Sequence, residues 1–173
     1  RGVHGGREDP RLPEIRAGRE GHACGLQAKP QLASHKDTKM DRDDGLERIA
    51  RKVIDCGYHL HHDLGPGLLE SAYERLMSEL LTRDGLVVQR QVSMPLSHKG
   101  VVIDNAYLVD LLVEGRLIVE LKSIERLTPV HGKQVLTYLR LADLPLGLLM
   151  NFGQPTFKDG LRRIANNYYG QRG

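Results

Sequence analysis

The stretch from Tyr107 to Lys122 reads YLVDLLVEGRLIVELK and decides the fold. Two short runs rich in Val, Ile and Leu flank the turn dipeptide Glu114-Gly115, a pattern that predicts a β-hairpin. Because side chains alternate along a strand, Glu120 and Lys122 share one face of the second strand. Asp110 lies in the first strand, where aspartate is disfavoured and costly to bury without a compensating charge. The hairpin thus gathers two carboxylates, which suit a hard-cation site, and an adjacent ammonium.

Two alternatives stay open for this hairpin. The three charged residues also fit a solvated strand face or a cross-strand ion pair. The register is open as well: a two-residue turn at Glu114-Gly115 places Asp110 opposite Val119, whereas a three-residue loop that includes Arg116 places it opposite Glu120. A cation site requires the second register, or a bulge that re-aims Asp110.

Length and composition favour one modest domain. The chain has 173 residues and is 40% hydrophobic, which is enough for a real core. The formal net charge of +3 comes from residues 1–39, which hold eight Lys/Arg and five Asp/Glu, while residues 40–173 hold seventeen of each. Any affinity of the folded part for nucleic acid must therefore come from local arrangement. Cys24 and Cys56 have no spacing partner and predict neither a disulfide framework nor a zinc site.

The N-terminal segment has the composition of a disordered leader. Residues 1–39 are rich in Gly, Arg, Pro and His and show no sustained apolar period. We predict that they are disordered and that the folded domain spans residues 40–173. A natural start at Met40 and a functional basic arm are the two explanations for the leader. The absence of a secretory signal and of a membrane-length apolar run predicts a cytoplasmic protein with no membrane partner.

Two helices are predicted before the strands. The first starts at Gly45 and ends at Gly65-Pro66-Gly67, and its three histidines near residue 60 are typical of an ordinary helix end. The second opens with Pro66 in its first turn. Glu70 lies one turn before Tyr73 on nearly the same side. A first-turn Glu stabilised by the helix dipole is the structural alternative to a catalytic role.

The remaining pattern predicts one mixed sheet flanked by helices. Strands are expected at Val87–Val92, at Val101–Ile103 and in the hairpin, with a fully buried strand at Leu146–Phe152. Thr128-Pro129 supplies a cap and a first-turn proline for a helix that carries Gln134 and Tyr138 one turn apart. Leu161–Tyr169 is expected to form a closing helix. The fold class is α/β with a mixed central sheet.

Four motifs in order resemble the GxxExxY protein family of the PD-(D/E)XK nuclease-like superfamily. They are Gly67-x-x-Glu70-x-x-Tyr73, Asp110, Glu120-Leu121-Lys122 and Gln134-x-x-x-Tyr138. The resemblance covers roughly residues 45–165, including Leu148–Gly153. It implies a restriction-endonuclease-like core.

The resemblance also implies metal-dependent hydrolysis of a nucleic-acid phosphodiester. Asp110 and Glu120 would hold Mg²⁺ or Mn²⁺ with the Leu121 carbonyl, and Glu70 would complete the acidic cluster. Lys122 would stabilise developing negative charge. The substrate-positioning residues would be Tyr73, Gln134 and Tyr138.

A binding module on the same fold is the rival interpretation, in which the acidic residues form a structural ion-pair network around Lys122. DNA is the expected nucleic-acid partner in preference to RNA. The balanced charge of residues 40–173 suggests that this affinity involves a homodimer or another partner.

Overall fold

Helices precede and interrupt a set of five strands. A computed structural model describes residues 35–167, with side chains from residue 44 onward. The helices are α1 (His35–Leu64), α2 (Glu70–Arg83), α3 (Pro129–Leu141) and the single-turn α4 (Phe157–Gly160). The strands are β1 (Val88–His98), β2 (Val101–Val113), β3 (Leu117–Lys122), β4 (Leu146–Asn151) and β5 (Leu161–Ala165).

The five strands form one sheet in the order β1-β2-β3-β4-β5. Neighbouring strands are antiparallel except β3 and β4, which are parallel. A parallel pair needs a crossover connection, and α3 supplies it. The predicted α/β class with a mixed central sheet flanked by helices is confirmed.

The sheet is covered on both faces. Helices α1 and α2 cover one face, where Ala50 and Met77 pack against Leu121 and Met150. Helix α3 covers the other face through Val135 and Leu139. Every residue of β4 is buried, which agrees with its continuous apolar sequence. Strand β3 is therefore packed between two cores, one on each face of the sheet.

The distal half of the β1–β2 hairpin has little cover. Val101, Val102 and Ile103 are all exposed. The ladder shifts between Met94 and Leu96, so that Pro95 falls at an irregularity. The hairpin is one continuous element, longer than the separate short strands that the sequence predicts.

Helix α1 begins at His35, so residues 35–39 of the predicted leader are helical. The disorder prediction for residues 1–34 lies outside the described residues. Helix α1 ends at Leu64, as the glycine and proline after it predict. None of the described helices combines the length and apolarity needed to cross a membrane.

The prediction that Pro66 opens α2 is wrong. Gly65 and Gly67 have φ values of 66° and 121°, which a helix does not accept, and α2 begins only at Glu70. The segment between the helices is therefore a turn, and it sets the direction in which α2 begins. Leu69 is the N-cap residue of α2, has an extended backbone conformation and is 77% exposed.

The predicted closing helix at Leu161–Tyr169 is also wrong in the part that the structure describes. Leu161–Ala165 forms β5, which pairs antiparallel with β4. A buried strand needs ladder partners on both sides, because its backbone groups cannot reach water. That long-range requirement outweighs the weak local preference of a short apolar segment.

Candidate active site

The β2–β3 turn sets which residues face each other. Val113 pairs with Leu117 and Leu111 with Val119, so the loop holds three residues and Asp110 comes opposite Glu120. The Arg116 N–H donates to the Val113 carbonyl at 3.0 Å. Glu114 and Gly115 both have positive φ, as a type I′ turn requires, and Arg116 is the additional residue. Of the two registers that the sequence allows, the structure has the one that a cation site needs.

Asp110 is held by two hydrogen bonds. Its Oδ2 accepts the Leu121 N–H at 2.8 Å, and its Oδ1 accepts from Gln91 Nε2 at 3.4 Å. The first bond ties the carboxylate of β2 to the backbone of β3, one residue beyond Glu120. The carboxylate therefore lies at the strand end where Lys122 leaves the sheet.

The Lys122 ammonium lies among the oxygens of the acidic residues. It donates to Glu120 Oε1 at 2.7 Å and to the Leu121 carbonyl at 2.7 Å, and it lies 3.5 Å from Glu70 Oε1. These three oxygens belong to residues that the resemblance assigns to the metal. The ammonium thus occupies the position of a cation among hard oxygen donors.

Glu120 has one oxygen with no hydrogen-bond partner among the described residues. Its Oε2 is buried and makes no hydrogen bond within residues 35–167, although an unsatisfied buried polar group is costly. Burial, with added repulsion from the Asp110 charge, raises the pKa of Glu120 to about 7, against the opposing effect of Lys122. The site therefore stabilises the charged form of Glu120 poorly and leaves one oxygen able to accept a further ligand.

The neighbouring groups are shifted by the same environment. Burial raises the pKa of Asp110, opposed by the Leu121 N–H and by Lys122, and reinforced by the charges of Glu70 and Glu74. Burial disfavours the charged ammonium, but the hydrogen bond and charge of Glu120 outweigh this effect and raise the pKa of Lys122. Three carboxyl groups at 70, 110 and 120 thus surround one ammonium, and the cluster has an excess of acidic groups.

Glu70 reaches the cluster because α2 starts there. As the first helical residue it is 41% exposed at the side chain, and it lies beside Lys122 across the turn that follows α1. A carboxylate in the first turn is favoured by the helix dipole. The structural and the site interpretation of Glu70 are therefore compatible.

Tyr73 lies in the core next to the start of α2. Its ring is fully buried and stacks on Phe152 with centroids 4.1 Å apart. Its hydroxyl donates to the Gly65 carbonyl at 2.5 Å. This contact ties the tyrosine to the turn that precedes Glu70, and its substrate-positioning role stays a prediction.

Gln134 and Tyr138 meet each other on α3, as their spacing predicts. Gln134 Nε2 lies 2.6 Å from the Tyr138 hydroxyl, and Tyr138 stacks on Tyr107 with centroids 4.5 Å apart. Within the described part of the chain, neither makes a hydrogen bond to the acidic residues. Their positioning role stays a prediction.

Glu74 is a candidate site residue that sequence patterns did not identify. It is 4% exposed, and its carboxylate accepts from Arg90 Nε at 2.9 Å and from Gln91 Nε2 at 2.6 Å. Its spacing of four residues from Glu70 places both on one side of α2, which was the available signal. The partners on β1 could not be inferred from spacing.

Asn151 is a second missed residue. Fully buried at the end of β4, it accepts from the Ile124 N–H at 3.0 Å and from the Gly153 N–H at 3.1 Å, and it donates to the Ile124 carbonyl at 2.8 Å. These bonds fasten the segment that follows Lys122. Its position in the Leu148–Gly153 motif was the only sequence signal.

The donor set fits a hard divalent cation in chemistry, with carboxylates and a carbonyl as ligands and an unsatisfied oxygen on Glu120. In the residues that the structure describes, no group of three or more His, Cys, Asp and Glu is arranged to hold a metal. The Lys122 ammonium contacts Glu120 Oε1 and the Leu121 carbonyl, two of the oxygens that would hold an ion.

Comparison with known proteins gives one result. A family model described as the PD-(D/E)XK nuclease superfamily matches residues 47–164. No curated protein and no solved structure matches the chain. The match includes all the acidic residues described above as well as Lys122, Gln134 and Tyr138. Assignment to the GxxExxY family within this group stays a prediction.

Proposed function

Because this chain belongs to the PD-(D/E)XK nuclease superfamily, we propose that it is a metal-dependent nuclease that hydrolyses nucleic-acid phosphodiesters. The observation that carries the proposal is the convergence of Glu70, Asp110 and Glu120 on Lys122, with a buried Glu120 oxygen that has no partner in the described part of the chain. Perturbed titratable groups that cluster in this way are typical of catalytic sites.

Mg²⁺ or Mn²⁺ is the cofactor that this proposal requires. Asp110, Glu120 and the Leu121 carbonyl would hold the ion, and Glu70 would complete the acidic cluster directly or through water. When bound, such an ion lowers the pKa of a water molecule and neutralises charge on a phosphate. The orphaned oxygen of Glu120 supports this assignment.

Lys122 would then act on the substrate. Displaced from Glu120, its ammonium would donate to a phosphate oxygen and stabilise the negative charge that develops there. The proposal gives Gln134 and Tyr138 the task of orienting the phosphate backbone with hydrogen-bond donors. DNA is the preferred substrate in this proposal, and a homodimer would add contacts that the balanced charge of residues 40–173 does not supply.

A binding module without catalysis is the second candidate, and one observation favours it. The Lys122 ammonium satisfies Glu120 Oε1 and the Leu121 carbonyl, as in a structural ion pair. In that case the cluster would hold α2 against β3 and would have no affinity for cations.

The deciding experiment is a cleavage assay on single- and double-stranded DNA and RNA with Mg²⁺ or Mn²⁺. Wild-type protein should cleave only with the metal, and Glu120→Gln should lose cleavage and Mn²⁺ binding, because it removes one ligand charge. Glu79→Gln makes the same chemical change at an exposed position of α2 and should behave as wild type. Cleavage that survives in Glu120→Gln would reject the assigned site.

Lys122→Met separates catalysis from ion pairing. It should lower the cleavage rate by roughly 10² to 10³ fold, the range for loss of one transition-state donor. It should also strengthen Mn²⁺ binding, because the competing ammonium is gone. Unchanged metal affinity together with unchanged cleavage would favour the binding module.

A further inference from the structure

Gln91 bridges the buried acid of α2 and the acid of β2. Its Nε2 donates to Glu74 Oε2 at 2.6 Å and to Asp110 Oδ1 at 3.4 Å. A side-chain amide nitrogen has two protons, so it can serve both carboxylates at once. The bridge joins the cluster to a residue that is remote from it in sequence.

The backbone of Gln91 has an uncommon conformation. Its φ is 49°, in a region that residues other than glycine rarely adopt. The neighbours in register are Arg90 with Leu111 and Val92 with Val109, which leaves Gln91 facing Asp110. Strained backbone of this kind persists where surrounding contacts enforce it, and it is common at functional sites.

At Gln91 and Asp110, the side chains of β1 and β2 switch from one face of the sheet to the other. Val88 and Leu111 pack in the core under α1 and α2, whereas Val92 and Val109 pack in the core under α3. Regular alternation would have kept residues of the same parity on one face. The irregularity directs the side chain of Gln91 toward both acids.

The far end of the bridge is rigid. Glu74 is buried on α2, and Arg90 Nε donates to its other oxygen at 2.9 Å. The near end is also defined, because Asp110 Oδ2 accepts the Leu121 N–H. Asp110 is therefore held from two sides, by β3 through one oxygen and by α2 through Gln91 and the other oxygen.

We propose that Gln91 is a positioning residue that holds Asp110 in the orientation needed to bind the divalent cation. The inference rests on the proposed function, since it assigns Asp110 to the metal. Gln91 touches neither substrate nor cation and acts only through Asp110. Partners that orient a metal ligand affect affinity by roughly 10 to 100 fold.

The test uses the full chain and Gln91→Asn. Asparagine accepts positive φ and keeps the amide, but it is one methylene too short to span both acids. Mn²⁺ should bind roughly 10 to 100 fold more weakly, as measured by titration calorimetry. Lys99→Asn is the matched control, because Lys99 also has positive φ, 48°, but lies at the exposed tip of the hairpin. It should leave Mn²⁺ affinity unchanged.

A double-mutant cycle shows whether the effect passes through Asp110. In the Asp110→Asn background, Gln91→Asn should cause no further loss of affinity, because the group that it orients is already lost. An additive loss, or wild-type affinity in the single variant, would overturn the proposal. A general effect on folding would appear as an additive loss.

A metal-free measurement keeps the inference separate from the proposed function. The Leu121 amide proton, bound to Asp110, should shift upfield and exchange faster with solvent in Gln91→Asn, while the amide of Val119 stays unchanged in NMR spectra. If wild-type protein binds no Mn²⁺, the proposed function fails, and the Leu121 resonance still decides whether Gln91 holds Asp110. An unmoved Leu121 resonance would reject the positioning role.

Discussion

Glu120 is the residue on which opposing interactions converge. One oxygen is bound by Lys122 and the other has no partner in the region that the structure describes, while Asp110 faces Glu120 across the strand pair. The balance of burial and charge raises its pKa to about 7, from an ordinary value of 4.5. The folded protein therefore binds this proton more tightly than the unfolded chain does.

This shift gives a pH dependence of stability with a definite sign. Protonation of Glu120 favours the folded state. Its stabilising contribution to the free energy of unfolding is therefore fully present below pH 4.5 and is lost as the pH rises through about 7. Glu120→Gln cannot titrate and should lack this decline. In metal-free urea unfolding, the free energy of unfolding of the variant minus that of wild type should rise by on the order of 1–3 kcal/mol between pH 4 and pH 8.

The test is the difference between the two pH profiles, because the buried glutamine amide adds a cost that does not depend on pH. Glu79→Gln, at an exposed position, should follow the wild-type profile. Parallel profiles for wild type and Glu120→Gln would show that Glu120 titrates normally in the folded protein.

At the scale of elements, the site depends on how β3 leaves the sheet. β3 and β4 run parallel, and the Phe152 N–H donates to the Lys122 carbonyl at 2.7 Å. Asn151 then binds both the N–H and the carbonyl of Ile124. A side chain at Gly153 would collide with the Ile124 backbone, so the two segments touch closely. This contact fixes the direction of Lys122.

Replacing Asn151 by Ala should therefore be strongly destabilising. It leaves half-buried backbone groups of Ile124 and Gly153 without the bonds that Asn151 supplies, at a cost of about 2–5 kcal/mol. Chemical denaturation should show this loss, and NMR should show a displaced Lys122 side chain. Asn105→Ala, at an exposed position of the distal hairpin, should change stability by less than about 0.5 kcal/mol. Equal effects of the two substitutions would contradict the assigned contact.

For the whole molecule, the described core of α1 begins at Leu46. A chain that starts at Met40 keeps this residue, and the sequence before it has no apolar pattern. Its thermal midpoint should stay within about 2 °C of the full chain. A chain that starts at Asp55 loses Leu46, Ala50 and Val53, which are all buried, and should not unfold cooperatively. Calorimetry distinguishes these outcomes, and a large drop for the first truncation would show that the leader packs.

Sequence predicts the elements whose signals are local. The turn at Glu114-Gly115, the Thr128 cap of α3 and the apolar run of β4 are all where their residues indicate. The resemblance names the residues that meet at Lys122. Local pattern leaves the hairpin register open, because the turn dipeptide allows two loop lengths.

Features that depend on distant partners are missed. β5 is a strand because β4 needs a neighbour, and Glu74 is a site residue because Arg90 and Gln91 reach it from β1. The change of faces at Gln91 breaks the alternation on which any strand prediction relies. None of these contacts leaves a periodic trace in the residues that make it.

The three-residue loop of the β2–β3 hairpin has a kinetic consequence. A hairpin closes in microseconds from local contacts alone, and Arg116 allows this one to close one residue out of register. The slipped hairpin would put Asp110 beside Val119, and it must unzip before β3 can join β4 correctly. Long-range parallel pairing is slow. We therefore expect a wrong β2–β3 register to be corrected only late in folding, when β3 pairs with β4. We therefore expect the acidic cluster to be among the last parts of the protein to form, so that a partly folded chain would have a hairpin without an assembled cluster.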